Sequence, residues 1–232
     1  MMRRLLPFLG VSLLAACTAL PPAQMRLPAE MTNVTRTRFE GVSGWTHGRY
    51  TVGDYSGGYE RSEERLAFFD TWIRNSGHTD FVIEGPGISS TIEARCRMRE
   101  KLVEMDIVSF TPKLMAYSCS FTADGRPFPA RFELQEVREG LAGALSKNER
   151  RGEILLGGET VQIRSEGSPF ALASPIGYAF EQNGRPVGAV ELNGSPVLVL
   201  PRNTEPGLAR TLTIAAVALG LFWDPAESQL GD

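Results

Sequence analysis

From Phe39 to Leu200 apolar and polar residues alternate with a period of two. Ile92, Ala94, Cys96 and Met98 are interleaved with Glu93, Arg95, Arg97 and Arg99, so a strand here has one apolar and one charged face. Met115, Tyr117, Cys119 and Phe121 repeat the pattern. Between such runs stand the dipeptides Asp124-Gly125, Gly157-Gly158, Asn183-Gly184 and Asn193-Gly194. These residues accept the positive φ that tight hairpins need. Four such signals predict an antiparallel meander. Residues 60–70 read equally as strand or short helix.

One hairpin follows in register if Glu100-Lys101 is its turn. Arg97 then lies opposite Glu104 and Arg95 opposite Asp106 on the outer face. Met98, Cys96 and Ala94 meet Val103, Met105 and Ile107 on the inner face. A one-residue slip would destroy both sets of pairs. The arginine row is also a candidate site for anionic lipid, but with two members already matched to acids it reads as a solvated face. A weaker feature is an internal echo, in which Phe121–Ala130 resembles Phe180–Ala189 around Asp-Gly-Arg-Pro and Asn-Gly-Arg-Pro. Shared turn chemistry explains it more simply than a duplicated half-barrel.

The C-terminus breaks the alternation. Glu205-Pro206-Gly207 precedes a segment to Trp223 that is rich in Ala and Leu, and Asp224-Pro225 stops it. Such a composition favours a helix, and apolar residues cover nearly its whole circumference, so it should be buried on all sides. Its 16 or so residues reach only about 24 Å, short of a membrane span. The expected fold is mainly β, an antiparallel meander curled into a barrel-like sheet around a buried C-terminal helix over 207–223. That order of elements, over residues 39–223, resembles the tubby C-terminal-like architecture, which includes phospholipid scramblases and the LURP-one-related plant proteins. The resemblance implies the fold alone, because no motif here matches that group's phosphoinositide-binding basic residues.

At the N-terminus, Met1-Met2-Arg3-Arg4 is cationic and Leu5–Ala16 is apolar, too short for a permanent membrane helix. The run ends in Leu14-Ala15-Ala16-Cys17, which resembles the lipobox of bacterial lipoprotein signal peptides. The resemblance implies cleavage before Cys17, lipid attachment at Cys17, and an envelope location. Several acyl chains together hold a protein firmly where one holds it marginally. Thr18 is not the Asp that resembles an inner-membrane retention signal in enteric bacteria, which favours the outer membrane, facing the periplasm. Residues 1–16 are then the leader, 17–38 a lipidated tether rich in Pro and Thr, 39–225 one domain and 226–232 a tail.

The chain of 232 residues carries 24 Lys+Arg and 27 Asp+Glu. Loss of Arg3 and Arg4 with the leader leaves 22 basic against 27 acidic residues, a formal −5. An acidic body argues against nucleic acid, whose phosphates need clustered Lys and Arg. His47 and His78 are the only histidines, and both read as loop positions. Without an HExxH motif or paired-cysteine spacing they point to no metal site. No GxSxG elbow, P-loop or GxGxxG occurs, and no cofactor is implied. A triad of His78, Asp80 and a distant serine is the one hydrolase candidate. Glu153 and Glu159 flank a Gly-Gly turn as solubilising hairpin charges. Trp45, Tyr50, Tyr55 and Tyr59 among glycines suggest either an aromatic loop for sugar or peptidoglycan, or ordinary strand aromatics, and the latter is favoured. The sequence thus points to a membrane-anchored, non-enzymatic structural or interaction module of the envelope, with an envelope protein or peptidoglycan as partner. A carrier or sensor of an apolar ligand is the alternative and an envelope hydrolase the next. A lumen filled by Leu208–Trp223 would count against the carrier.

Once Cys17 is acylated, Cys96 and Cys119 are the remaining cysteines in an oxidising compartment, and both fall on apolar strand faces. The register above, with Thr111-Pro112-Lys113 as the next loop, sets them two strands apart at roughly 9–10 Å, beyond the ~7 Å bridging limit. Compartment chemistry favours the disulfide over that register. Mass spectrometry of periplasm-derived protein alkylated without reductant should find neither thiol modified. Two alkylated thiols would refute the bond.

Overall fold

The computed structural model describes residues 25–42, 46–68, 72–105, 108–137, 149–167 and 174–224. Within them the alternating segments form twelve strands. They are β1 (Val34–Glu40), β2 (His47–Val52), β3 (Tyr55–Phe68), β4 (Trp72–Ile83), β5 (Ile92–Met105) and β6 (Val108–Ala123), then β7 (Arg126–Glu136), β8 (Arg150–Leu156), β9 (Glu159–Glu166), β10 (Gly177–Gln182), β11 (Arg185–Glu191) and β12 (Val197–Pro201). Each strand pairs antiparallel with its sequence neighbour, and β1 closes on β12 from Val34↔Pro201 to Arg38↔Val197. The product is a closed up-and-down barrel, in which every strand has a partner on both sides along at least part of its length. Helix α1 (Pro206–Gly220) runs through its lumen. The expected fold class is the one observed.

The barrel has two unlike ends. At one, which we term the turn end, Asp124-Gly125, Gly157-Gly158 and Asn183-Gly184 close hairpins with both central residues at positive φ, between 51° and 89°. Gly53-Asp54 adds a fourth tight turn, with Gly53 at φ 58°. The β4–β5 link and the N-terminus of α1 also lie there. The opposite, loop end carries the remaining connections and the C-terminus of α1. Asn193-Gly194 is not a two-residue turn, because it belongs to a longer link between β11 and β12 with only Gly194 at positive φ (92°). The echoed hairpins share a physical cause. In each, the ladder shifts register beside an Arg-Pro pair, with Pro127 opposite Thr122 and Pro186 opposite Glu181. A proline cannot donate to the ladder, so pairing is interrupted next to it.

Several expectations are corrected. Residues 60–68 are strand, within β3. Glu100-Lys101 and Thr111–Lys113 do not turn but lie inside β5 and β6, which run on together as far as Met105↔Val108. The Arg97–Glu104, Arg95–Asp106 and Cys96–Met105 pairings therefore do not occur. Their reversal point, Asp106-Ile107, lies outside the described residues. The true register sets Arg97 opposite Ser118, Ala94 opposite Phe121 and Cys96 opposite Cys119. Ile92, Ala94, Cys96 and Met98 and also Met115, Tyr117, Cys119 and Phe121 keep the buried face that alternation gives them, so alternation alone does not expose the wrong register. The distance conflict disappears with it. Cys96 and Cys119 are directly opposed, with Cα atoms 3.9 Å apart, and are joined by a disulfide. The tether is shorter than expected, since β1 begins at Val34 and Met25 and Met31 are buried on the barrel's outer surface with Ile176, Ala189 and Val199.

α1 begins as its sequence suggests. The Glu205 carboxylate accepts hydrogen bonds from the Gly207 and Leu208 amides at 2.8 and 3.4 Å, and Pro206 occupies the first turn, where a missing N–H costs nothing. Every residue from Thr211 to Leu219 is at most 2 % exposed. Ala215, Ala216 and Ala218 keep the helix slender, while Phe81, Phe132, Phe180, Tyr117 and Tyr178 project from the wall to meet it. Its buried hydroxyls are satisfied locally, Thr213 by the Ala209 carbonyl at 2.8 Å and Thr211 by those of Gly207 and Leu156 at 3.1 and 3.3 Å. The helix stops at Gly220 and not at Trp223. The residue before Pro225 is biased to extended backbone, and Asp224 is held elsewhere, as described below.

Each large side chain of α1 contributes about 1.5–3 kcal/mol on burial, so the helix is core and not an appendage. Leu212→Ala should lower stability by about 2–5 kcal/mol, read by chemical denaturation. A fragment 18–207 should fail to fold, and a soluble version of it that melts cooperatively would contradict this account.

Candidate functional site

The last turn of a helix leaves carbonyls without intrahelical partners, and here the barrel supplies them. Tyr117 Oη on β6 donates to the Ala218 carbonyl at 3.1 Å, and Arg61 Nη1 on β3 donates to that of Leu221 at 3.3 Å. Burial pushes the Tyr117 phenol far above its ordinary value, so it stays protonated and a donor. Phe222 stacks on Tyr117 with ring centroids 4.4 Å apart. Arg61 lies over Tyr59 and Trp223, 5.5 and 5.2 Å from the ring centroids. Burial pulls its guanidinium below the ordinary value, and Tyr59 opposes that shift without cancelling it.

Toward the loop end from Tyr117 the inward positions switch from apolar to polar. Asn75, Glu100, Glu136 and Arg150 point inward from β4, β5, β7 and β8, and Asp224 joins them from the segment after α1. Arg150 is the hub. Its Nη1 and Nη2 donate to Asp224 Oδ2 and Oδ1 at 2.6 and 2.9 Å, and Nη1 also donates to Tyr178 Oη at 3.2 Å. The two planar groups form a bidentate pair that is nearly closed to solvent, at 4 % and 10 % side-chain exposure. Burial lowers the Arg150 pKa, but Tyr178 and Asp224 outweigh it and hold the guanidinium above its ordinary value. Glu100 accepts from Asn75 Nδ2 at 2.8 Å. Burial first, then the neighbouring carboxylates of Glu136 and Asp224, raise its pKa against the lowering effects of Asn75 and Arg150.

Above this layer the loop end opens into a cavity of about 540 Å³, within the usual range of roughly 300–1,000 Å³ for small-molecule sites. Its floor is Tyr178, Phe222 and Asp224, and its walls include Ile176, Leu192 and Trp223, with Arg61 at one side. Ser174 also lines it. The residue is 8 % exposed, and its Oγ is buried with no hydrogen-bond partner.

The residues singled out from sequence go elsewhere. His47 and His78 are not in loops but begin β2 and sit within β4, and neither lines the cavity. His47 is exposed beside Thr46, whose Oγ1 is 3.1 Å from its Nδ1. His78 Nδ1 is 2.7 Å from Ser62 Oγ, directly across the β3–β4 ladder on the outer surface. Asp80 is not the third member of a triad, because its carboxylate accepts from Arg97 Nη1 at 2.6 Å. Glu153 pairs with Arg131, and Glu159 accepts from Gln182 Nε2 at 2.6 Å, as hairpin charges do. Tyr50 and Tyr59 face the core, and Tyr50 Oη donates to the Val82 carbonyl at 2.9 Å. Trp45 and Cys17 lie outside the described residues. No grouping of acidic, histidine and cysteine side chains suited to a metal occurs among the described residues. Arg150 and Ser174 were missed. Arg150 interrupts the apolar positions of β8, but a lone arginine in an Arg-Arg pair gives no sign of which member points inward.

Because the Glu100 pKa is raised in the folded state, that state binds the proton more tightly than the unfolded chain does. Stability from this group is complete below the ordinary carboxyl range and declines as pH rises through the raised value. Glu100→Gln should therefore raise the melting temperature at pH 7.5 and gain nothing near pH 4. An equal gain at both pH values would show that charge is not the cause. Asp224→Ala should cost about 3–5 kcal/mol by stranding the buried Arg150 charge.

Compared with known proteins, the chain matches no family model, no curated protein and no solved structure.

Proposed function

We propose that the protein is a non-enzymatic interaction module of the bacterial cell envelope, lipid-anchored through Cys17 to the outer membrane and facing the periplasm. The observation that carries the reading is the occupied lumen. With Thr211–Leu219 sealed inside the barrel, the space in which a barrel would carry an apolar cargo is already filled, so the molecule works through its outer surface and its loop-end cavity. The lipobox-like Leu14-Ala15-Ala16-Cys17 supports the anchor. The meander followed by a helix supports the architectural likeness to the tubby C-terminal-like group, from which no ligand is carried over.

The hydrolase alternative draws on the Ser62–His78 contact. That pair sits on the outer surface of the sheet, outside the loop-end cavity, and Asp80 is committed to Arg97. A serine nucleophile needs an oriented base and donors aimed at the developing oxyanion, and an exposed sheet surface arranges neither.

Cys17→Ser should abolish incorporation of a clickable fatty acid and release the protein from membranes, and unchanged labelling would overturn the anchor. A fluorophosphonate reagent should leave the wild-type protein unmodified. Covalent labelling of Ser62 would replace this reading with the hydrolase.

A further inference from the structure

The path of the N-terminal segment shows where the Cys17 tether reaches the barrel. Asn33 is at the turn end, where its carbonyl accepts from the Arg202 amide at 3.1 Å. Met25 is at the loop end, with its Sδ 2.8 Å from where a Cβ on Gly177 would stand. The segment therefore climbs the outer wall from loop end to turn end before β1 returns. Seven residues lie between Cys17 and Met25, and the fully extended chain joining the two spans at most about 28 Å. An acylated Cys17 lies within that reach of Met25 at the loop end. Ile176 belongs both to the cluster around Met25 and to the wall of the cavity, so the tether enters beside the cavity mouth.

We infer that the loop-end cavity, held against the bilayer by the Cys17 tether, is a binding site for an acyl chain of a membrane phospholipid, whose polar end is met by Ser174 and Arg61. The inference rests on the anchoring proposed above and adds the ligand. Three observations point to this occupant. The lining is mixed, with Ile176, Leu192, Phe222 and Trp223 giving an apolar and aromatic side for an acyl chain and Arg61, Ser174, Asn193 and Asp224 a polar side for its head. The Ser174 hydroxyl is buried, lines the cavity and has no partner in the protein, although burying such a group without a hydrogen bond is costly. Ester oxygens of a lipid would satisfy it. Arg61, fixed by stacking and by its bond to the Leu221 carbonyl, keeps a planar, permanently charged fork at the same cavity, suited to a phosphate. Lipid would be drawn from the membrane to which the protein is already tied, so local concentration substitutes for high intrinsic affinity.

The test uses the acylated, full-length protein in vesicles of phosphatidylethanolamine and phosphatidylglycerol that contain a phospholipid with a diazirine at the end of one chain. Irradiation should place adducts on residues 192–196 and 219–224. Leu192→Trp, which fills the cavity, should cut them about tenfold. Ser174→Ala should cut them about three- to tenfold, the worth of one hydrogen bond, without lowering the melting temperature. Adducts confined to residues 17–24, or undiminished in both variants, would overturn the site. Labelling by a free diazirine fatty acid where the phospholipid gives none would overturn the source. Protection of the cavity by self-association or by a bound protein, with no lipid adduct, would overturn it as well. Flotation reads the anchor separately. Protein that floats with the vesicles but takes no adduct sinks the cavity assignment, and protein that does not float sinks the anchoring beneath it.

Discussion

The constraint on which the structure depends is that a closed barrel of this size must be filled. Eight strands make an interior that wall side chains alone can pack, and the diameter grows with strand number. With twelve strands, side chains projecting from opposite walls do not meet, and an empty interior would forfeit the dispersion and burial that pay for ordering the chain. α1 resolves the mismatch. Its alanines set a narrow column, and the aromatic residues of β4, β6, β7 and β10 fill the ring around it. The dependence is mutual. A helix apolar on every side has no stable place in water, and its terminal polar groups are satisfied by Glu205, Tyr117 and Arg61.

From that follows the form of the loop end. α1 stops at Gly220, and the chain beyond it is captured by Arg150 through Asp224. A buried ion pair is weak evidence of net stability, because desolvation consumes much of its attraction. Its value here is positional. The bidentate geometry fixes the direction in which the chain leaves the lumen, which lays Phe222 on Tyr117 and Trp223 on Arg61. Those rings close the top of the core and shape the cavity above it. Site and fold therefore share one device, and the cavity exists because the helix is shorter than the space that encloses it.

Little of the candidate site was legible beforehand. Arg61 lay in a stretch undecided between strand and helix, and Ser174 in a segment without periodicity. Arg150 stands next to Arg151, and only the register of β8 against β7 and β9 decides that the first faces the core and the second solvent. The residues that attracted chemical interest, His47, His78 and the tyrosines near Gly57, drew it because their types are reactive or adhesive. Their positions proved to be exposed edge, outer surface and core. Residue type proposes chemistry, but convergence of several residues in space is what makes a site.

What the sequence determined by itself was local. The period of two, the turn dipeptides with positive φ, and the uninterrupted apolar helix each follow from interactions among near neighbours, and together they imply strands, hairpins and a core helix. The faces on which Cys96 and Cys119 sit were likewise decided by alternation. Tertiary structure decided how far each strand runs, and therefore which residues oppose each other. β5 passes through Glu100-Lys101 because β4 offers it an unbroken ladder and β6 pairs with it again beyond a local register shift, a gain that no local preference for a turn can match. Closure of β1 on β12, the pairing of Arg150 with Asp224 and the meeting of Met25 with the loop end join residues far apart in the chain. Their pairing is fixed by the geometry of a filled, closed barrel, which no window along the sequence contains.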